Sequence, residues 1–360
     1  MWFVFAVLTV AVVASAGLAR RFAGKQDFIV RITSTAGVLF GLVAVVFYLS
    51  ARDAVSASEM LRYFPVAVLR LASAVAVLAA LDLFSRSATS FVTPTYGAFA
   101  ALVCVTAFGA VTDTAETAGI ILTAAGAAGI YMLTAYMSRK PSRQTDVSQT
   151  RARVALAEIV IPLAVFALCL ATAIADAVYL DEMNLAGKES AIVTQGAVCF
   201  AAGVICIVYR TLSLRAAKRE AHSKVTANAE KSIFDEMRSE DKRADFSSGA
   251  VTVADAVSEE NTANAKPTGE KSSAVGSVVA YVKDSKWLIA CAVACVAGSV
   301  TAVYAAALNA VAAIPLMASA LVAPALSAKL FAKAKTAAIA VACLAVVVGG
   351  IISFGISLVL

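Results

Sequence analysis

Hydrophobic residues form ten long runs along this chain, separated by short polar breaks. A helix that crosses the hydrocarbon core of a membrane needs about 20 consecutive, mostly apolar residues, and most of the runs approach or exceed that length. The pattern therefore predicts an all-α fold, a membrane-embedded bundle of about ten transmembrane helices. The predicted spans are residues 2–18, 28–50, 65–84, 91–111, 118–137, 155–180, 191–212, 287–308, 311–328 and 334–360.

The composition supports a location in a membrane. Of the 360 residues, 61% are hydrophobic and 15% are charged, whereas soluble domains are about half apolar and about a quarter charged. Ala and Val are prominent among the apolar residues, and small side chains let neighbouring helices approach closely. The lipid bilayer is therefore the expected partner of most of the surface, and we expect a polytopic integral membrane protein.

The predicted helices fall into two sets of five. Residues 1–137 form the first half, residues 138–154 a basic cytoplasmic linker, and residues 155–360 the second half. The second half contains an insert at 214–286, which we expect to be largely disordered because its polar part has too few large apolar side chains to offset the entropy of ordering. Five helices in each half would orient the halves oppositely, which is the inverted 5+5 repeat of many transporters.

The charges of the loops predict an orientation. Basic residues are concentrated in the odd-numbered loops, while the even-numbered loops are acidic, mixed or uncharged. By the positive-inside rule the odd-numbered loops face the cytoplasm, so both termini are expected outside the cell membrane. Examples of the basic residues are Arg20, Arg21, Arg139, Lys140, Arg143, Arg210, Arg215, Lys329 and Lys333. This clustering accounts for the net charge of +6 without a nucleic-acid partner.

Histidine and cysteine usage bears on enzymatic and metal chemistry. The single histidine, His222, lies in a polar stretch, and one loop histidine cannot build a His-based metal or haem site. The seven cysteines lie in apolar runs. Cys291 and Cys295 share a helix face, so a thiol pair for a metal is an alternative to the usual role of Cys as a small buried residue. We expect no enzyme activity, no cofactor and no metal.

Both halves end in a similar order of small residues and prolines. An Ala-Leu pair precedes a short link, a helix with proline follows, and a glycine-containing helix ends the half. The residues are Ala80, Leu81, Pro94, Gly97, Gly119, Gly126 and Gly129 in the first half and Ala307, Leu308, Pro315, Pro324, Gly349 and Gly350 in the second.

At these residues the chain resembles the drug/metabolite transporter superfamily, specifically its EamA-like ten-helix members. The resemblance covers residues 71–137 and 294–360 and implies a transport function. The chain departs from the family in two respects. The glutamate usual between the fourth and fifth helices is replaced by Ala110 or its neighbours, and the usual member has both termini in the cytoplasm.

Three charged residues lie deep within predicted spans, where such residues are costly and often functional. Arg70 lies in the third span, and Glu158 and Asp176 lie in the sixth. Arg70 and Asp176 have similar estimated depths, so we predict that they meet near the outer mouth of a cavity, as a gate or as a static clasp. Glu158, nearer the cytoplasm, is a candidate for substrate or proton binding.

Uncharged polar residues supply further candidates for a cavity lining. They are Gln195, Thr194, Tyr96 and Tyr131, and a packed structural role is the alternative for each. The GxxxG pattern of residues 37–41 marks close helix packing, either within the bundle or between the protomers of a homodimer.

The sequence leaves three classes of function open. The first is a secondary transporter of a small-molecule substrate across the plasma membrane. The second is a non-transporting scaffold or sensor subunit of an envelope complex. A membrane enzyme is the third, and it is disfavoured because no soluble loop gathers acidic or histidine clusters. A polar cavity between the two halves would favour the transporter over the scaffold.

Overall fold

The computed structural model describes residues 1–22, 28–84, 88–138, 148–182, 187–213, 215–216, 274–326 and 328–358. All regular secondary structure in these ranges is helical. The helices are α1 (Trp2–Phe22), α2 (Phe28–Ser50), α3 (Ala57–Phe84), α4 (Tyr96–Phe108), α5 (Thr114–Ser138), α6 (Ser148–Glu182), α7 (Lys188–Ser213), α8 (Ala274–Ala318), α9 (Val322–Ala325) and α10 (Ala334–Ser357). Short 3-10 helices are Arg52–Ala54, Ala88–Thr95, Ser319–Leu321 and Ala328–Phe331.

Eight helical stretches within these ranges are long and apolar enough to cross a membrane. This finding confirms the prediction of an all-helical, multi-pass membrane protein. The predicted count of ten differs in two places. The apolar helix Trp2–Ala16 is shorter than the other eight, and the eighth and ninth predicted spans share one helical stretch, Lys286–Leu321.

The backbone leaves the helical conformation inside α8, at Asn309, where φ is −162° and ψ is 88°. The side-chain oxygen of Asn309 accepts a hydrogen bond from the Ala312 N–H at 3.1 Å, which caps the helical part that follows. Before the break, α8 runs along α1, with Thr301 bonded to Thr9. After the break, Ser319–Leu321 and α9 also contact α1. The chain therefore turns back at Asn309.

The chain forms two compact units. The larger unit consists of Met1–Ile207 and Ser285–Leu360 and contains the helix bundle, and the other is Val208–Asp284. Most of the predicted insert at 214–286 lies outside the described residues, so its disorder stays a prediction. The helix α8 begins at Ala274, within the stretch predicted to be largely disordered. Similarly, α6 begins at Ser148, within the predicted linker at 138–154.

Glycines permit the closest helix contacts. In the α2–α7 contact, a Cβ on Gly37 would collide with the Cys199 carbonyl oxygen, and one on Gly41 would lie 2.6 Å from the Phe200 ring. Both glycines of the GxxxG pattern therefore pack within one chain. In the contact between α5 and α10, a Cβ on Gly350 would lie 2.7 Å from the Thr123 methyl group.

Candidate functional site

A cavity of about 340 Å³ lies within the larger unit. Residues of α1, α2, α3, α4, α6, α7 and α8 line it, together with the 3-10 helix Ser319–Leu321. Most of the lining residues are apolar, and many are small. Binding cavities for small molecules commonly have volumes of about 300–1,000 Å³, so this cavity is large enough for a small solute. Its polar lining residues include Arg70, Ser73, Tyr96, Thr172, Asp176 and Gln195.

An ion pair between Arg70 of α3 and Asp176 of α6 lies in the cavity wall. Nε of Arg70 donates hydrogen bonds to both carboxylate oxygens of Asp176, at 2.8 Å to Oδ1 and 2.7 Å to Oδ2. The hydroxyl of Tyr63 donates to Oδ1 at 3.3 Å. We call Tyr63, Arg70 and Asp176 the ionic clasp. The prediction that Arg70 and Asp176 approach each other is confirmed.

The geometry of two long helices produces this clasp. Tyr63 and Arg70 are seven residues apart on α3 and therefore lie on one face, about two turns from each other. One turn before Asp176, the Thr172 hydroxyl donates to the Leu168 carbonyl at 2.8 Å and makes a longer contact of 3.4 Å with the Leu69 carbonyl. Removing one partner of a buried ion pair costs about 3–5 kcal/mol because the other charge is left uncompensated, so Arg70 and Asp176 depend on each other.

Gln195 of α7 also lines the cavity, as the sequence predicted, and it is only 3% exposed. Its Nε2 lies 3.5 Å from the Cys199 sulfur. Within the described part of the chain its Oε1 is buried without a hydrogen-bond partner. Buried polar atoms are usually hydrogen-bonded, so this oxygen is an available acceptor in an otherwise apolar wall.

Tyr96 lines the same cavity, whereas three other candidates are not among its lining residues. The Thr194 hydroxyl donates to the Ser190 carbonyl, and the Tyr131 hydroxyl donates to the Leu321 carbonyl at 2.7 Å. Glu158 precedes Asp176 on α6 by eighteen residues, or about 27 Å at 1.5 Å per residue. The structure therefore brings Arg70, Asp176, Gln195 and Tyr96 to one cavity and leaves Glu158 outside its lining.

A second contact that borders the cavity was not predicted from the sequence. It joins α1 to α8 through uncharged groups, and we call it the neutral contact. The Thr9 hydroxyl donates to the Thr301 hydroxyl at 2.8 Å, Gly298 packs against Val13, and the Cys291 thiol lies 3.5 Å from the Ala16 carbonyl. Isolated threonines in Ala-rich helices give no signal that would have singled out this contact.

The turn at Asn309 is tied to the start of α5 by a further polar link that sequence reasoning missed. Nδ2 of Asn309 donates to the carboxylate of Glu116 at 3.0 Å. Asp113 caps α5, because its Oδ1 accepts a hydrogen bond from the Glu116 N–H, and this bond helps to lower the pKa of the Asp113 carboxyl. An acidic cap with Glu three residues later, before an apolar run, is a sequence signal for such a helix start.

The described ranges bring together no group of three His, Cys, Asp or Glu side chains that could hold a metal ion. The polar groups of the cavity lining are one ion pair and a few hydrogen-bonding side chains.

Fold and cavity together define a class: an all-helical, multi-pass membrane protein with a cavity between its helices. Comparisons with protein-family models, with curated proteins and with solved structures find no match to this chain.

Proposed function

We propose that the protein is a secondary transporter that moves a small solute across the cell membrane by alternating access. The observation that carries this proposal is the cavity, which is lined by residues of both predicted halves. Transporters bind their solutes near the middle of the bundle, where the two repeats meet. The alternative function, a scaffold or sensor subunit, requires no cavity there, and a solid interior would favour it.

The ionic clasp supplies a gate for this cycle. In the state described, Arg70 and Asp176 are paired, which closes the contact between α3 and α6. A bound solute that competes for these groups lowers the free energy needed to separate the two helices. Only differential binding to the open and closed states can shift such an equilibrium, so the solute must interact with the clasp itself.

Ten spans arranged as an inverted 5+5 repeat are part of the proposal. The turn at Asn309 supports counting Lys286–Leu321 as two spans, because the chain contacts α1 on both sides of the turn. Helices five places apart then pack closely in three cases. These contacts are α2 with α7, α5 with α10, and Gly97 of α4 with Pro315 beyond the turn. Equivalent helices of two repeats meet in this way at a two-fold axis.

The proposal includes an orientation and a family. Both termini lie outside the plasma membrane, because the odd-numbered loops carry the basic residues. The resemblance to the drug/metabolite transporter superfamily over residues 71–137 and 294–360 favours the same class of function.

A homodimer remains a prediction, and the GxxxG pattern gives it no support because both of its glycines pack against α7.

Thiol labelling of a single native cysteine tests the proposal. Cys199 lines the cavity, whereas the thiol of Cys343 packs against Gly129 in the contact between α5 and α10. Variants that retain only one of these cysteines are placed in sealed vesicles of either orientation and treated with an uncharged, membrane-impermeant methanethiosulfonate that carries a sugar. We expect Cys199 to react from both sides and Cys343 from neither. A Cys199 thiol that stays unreactive from both sides would favour the scaffold.

A further inference from the structure

We infer that the cavity binds a net-neutral, amphipathic solute. Such a solute has an apolar body and one polar group that both donates and accepts hydrogen bonds, as a primary amide does. This inference rests on the proposed function, since it assigns a ligand class to the cavity of the proposed transporter. Three features of the lining carry it: its charge balance, the free acceptor on Gln195 and the donors of Arg70 that the ion pair does not use.

The charges of the lining cancel. Among the lining residues of the described chain, Arg70 and Asp176 are the charged members, and they are paired at 2.7 Å. A solute with a net charge would therefore enter an apolar cavity without a counter-charge, unless it broke the ion pair and left one partner uncompensated. Both outcomes are costly away from water. A solute without net charge avoids this cost, because it brings no uncompensated charge into the cavity.

Gln195 provides the acceptor. Its Oε1 has no hydrogen-bond partner among the described residues, although the residue is 97% buried, being 3% exposed. An unpartnered buried acceptor loses the hydrogen bonds that water would give it. A donor group on the solute restores one such bond, so this position selects solutes that carry an N–H or O–H.

Arg70 provides the donors. Both of its hydrogen bonds to Asp176 start from Nε, and none of the hydrogen bonds found among the described residues uses its terminal Nη groups. The guanidinium group has five N–H donors, so it can hold Asp176 and still donate to an acceptor on the solute. Such a bond to the solute acts on the clasp, as the proposed gate requires.

The apolar part of the lining sets the rest of the ligand. Ala74, Val77, Ala302 and Ile314 are examples from α3 and α8. These side chains offer no hydrogen bonds, and burying apolar surface against them is favourable. The solute therefore has an apolar body of a size that fits a cavity of about 340 Å³.

A matched series of three probes tests the inference without a known substrate. The probes are 3-phenylpropanamide, 3-phenylpropanoate and 3-phenylpropylammonium, which share one body and differ in charge. Binding to the purified full-length protein is measured by ligand-dependent thermal stabilisation in detergent. We expect the amide to bind at least about tenfold more tightly than either ion, because only the ions bring an uncompensated charge into the cavity.

The Gln195→Leu variant tests the acceptor, and Thr194→Val, next to it and outside the lining, is the control. Loss of one hydrogen bond is expected to weaken binding of the amide by about fivefold to tenfold in Gln195→Leu and to leave Thr194→Val unchanged. Tighter binding of either ion than of the amide, or equal amide binding by both variants, would overturn the inference. The binding assay involves no transport, so a protein that binds the amide but fails the labelling test would contradict only the proposed function.

Discussion

The ionic clasp and the neutral contact join helices in the same bundle with different chemistry. Between α3 and α6, a guanidinium group, a carboxylate and a phenol meet. The link between α1 and α8 is a pair of threonine hydroxyls and a glycine packed on a valine. In the proposed inverted repeat these are equivalent contacts, because α6 corresponds to α1 and α3 to α8. We call these two contacts the seams of the cavity. The α3–α6 seam is held by charge, and the α1–α8 seam is held by packing.

The free energy needed to open the cavity therefore differs between the two contacts. Separating the clasp breaks hydrogen bonds between charged groups, each of which contributes about 1.5–3 kcal/mol. A hydrogen bond between helices in a membrane is worth about 0.6 kcal/mol on average. We therefore expect the α1–α8 seam to open readily, and the α3–α6 seam to open more rarely unless a solute bonds to the clasp.

The largest expected effect follows removal of one charge. Asp176→Ala leaves Arg70 buried without its counter-ion and should lower the free energy of unfolding by about 3–5 kcal/mol. Reversible unfolding in mixed detergent micelles measures this loss. Arg70→Ala should give a loss of similar size, because it strands the other member of the pair. A loss below 1 kcal/mol for both variants would mean that the clasp is solvated and weak.

A charge swap then separates a gate from a static clasp. The double variant Arg70→Asp with Asp176→Arg restores opposite charges, and we expect it to recover about half or more of the stability lost in the single variants, since paired charges stabilise each other. The labelling of Cys199 in vesicles is the functional measurement. Recovery of both stability and two-sided labelling indicates a gate, and recovery of stability alone indicates a static clasp. Absence of coupling between the two positions would show that they do not interact.

Filling the neutral contact should have a smaller effect. In Gly298→Ala the new Cβ would lie 2.9 Å from a methyl group of Val13, so α1 must shift, at a cost of about 1 kcal/mol. The matched control is Gly349→Ala on α10, where a Cβ meets nothing within 4 Å and helix propensity favours alanine. If the two variants have equal unfolding free energies, α1 and α8 are not packed as described.

The smallest expected effect is loss of the threonine pair. Thr301→Val removes the hydrogen bond to Thr9 and should cost about 0.6 kcal/mol. Thr106→Val is the control, because the Thr106 hydroxyl bonds only within its own helix, to Leu102 and Val103. The same unfolding assay measures both. If Thr301→Val lowered the free energy of unfolding by nearly as much as Asp176→Ala, the two seams would not differ in strength.

Features that depend on the depth of a residue in the membrane, or on the length of an apolar run, could be predicted from the sequence. The α2 helix was predicted at 28–50 and is found at Phe28–Ser50. The approach of Arg70 and Asp176 followed from their similar depth and from the cost of leaving either charge unpaired in a membrane. These arguments use distance along a helix axis, which a sequence records directly.

Features that depend on which helices are neighbours could not be predicted. Glu158 lies on the same ideal helix face as Asp176, because eighteen residues make five turns, but it lies too far along α6 to belong to the cavity lining. The pairing of Thr9 with Thr301 requires α1 to lie beside α8, and nothing in two Ala-rich helices specifies that choice. The turn at Asn309 falls at the predicted link between spans 287–308 and 311–328, whereas its bond to Glu116 requires α5 to lie beside the turn, which the sequence does not specify.

Labelling rates of Cys199 in two seam variants test most directly the claim that the ionic clasp, and not the neutral contact, keeps the cavity closed. Asp176→Asn keeps the shape of the side chain and removes its charge, while Thr301→Val removes the hydroxyl pair. In sealed vesicles treated from each side, we predict that Asp176→Asn raises the labelling rate of Cys199 from one side by about tenfold or more, a change of about 1.4 kcal/mol in the opening equilibrium. Thr301→Val should change it less than threefold. Equal acceleration by both variants, or none by Asp176→Asn, would contradict the account.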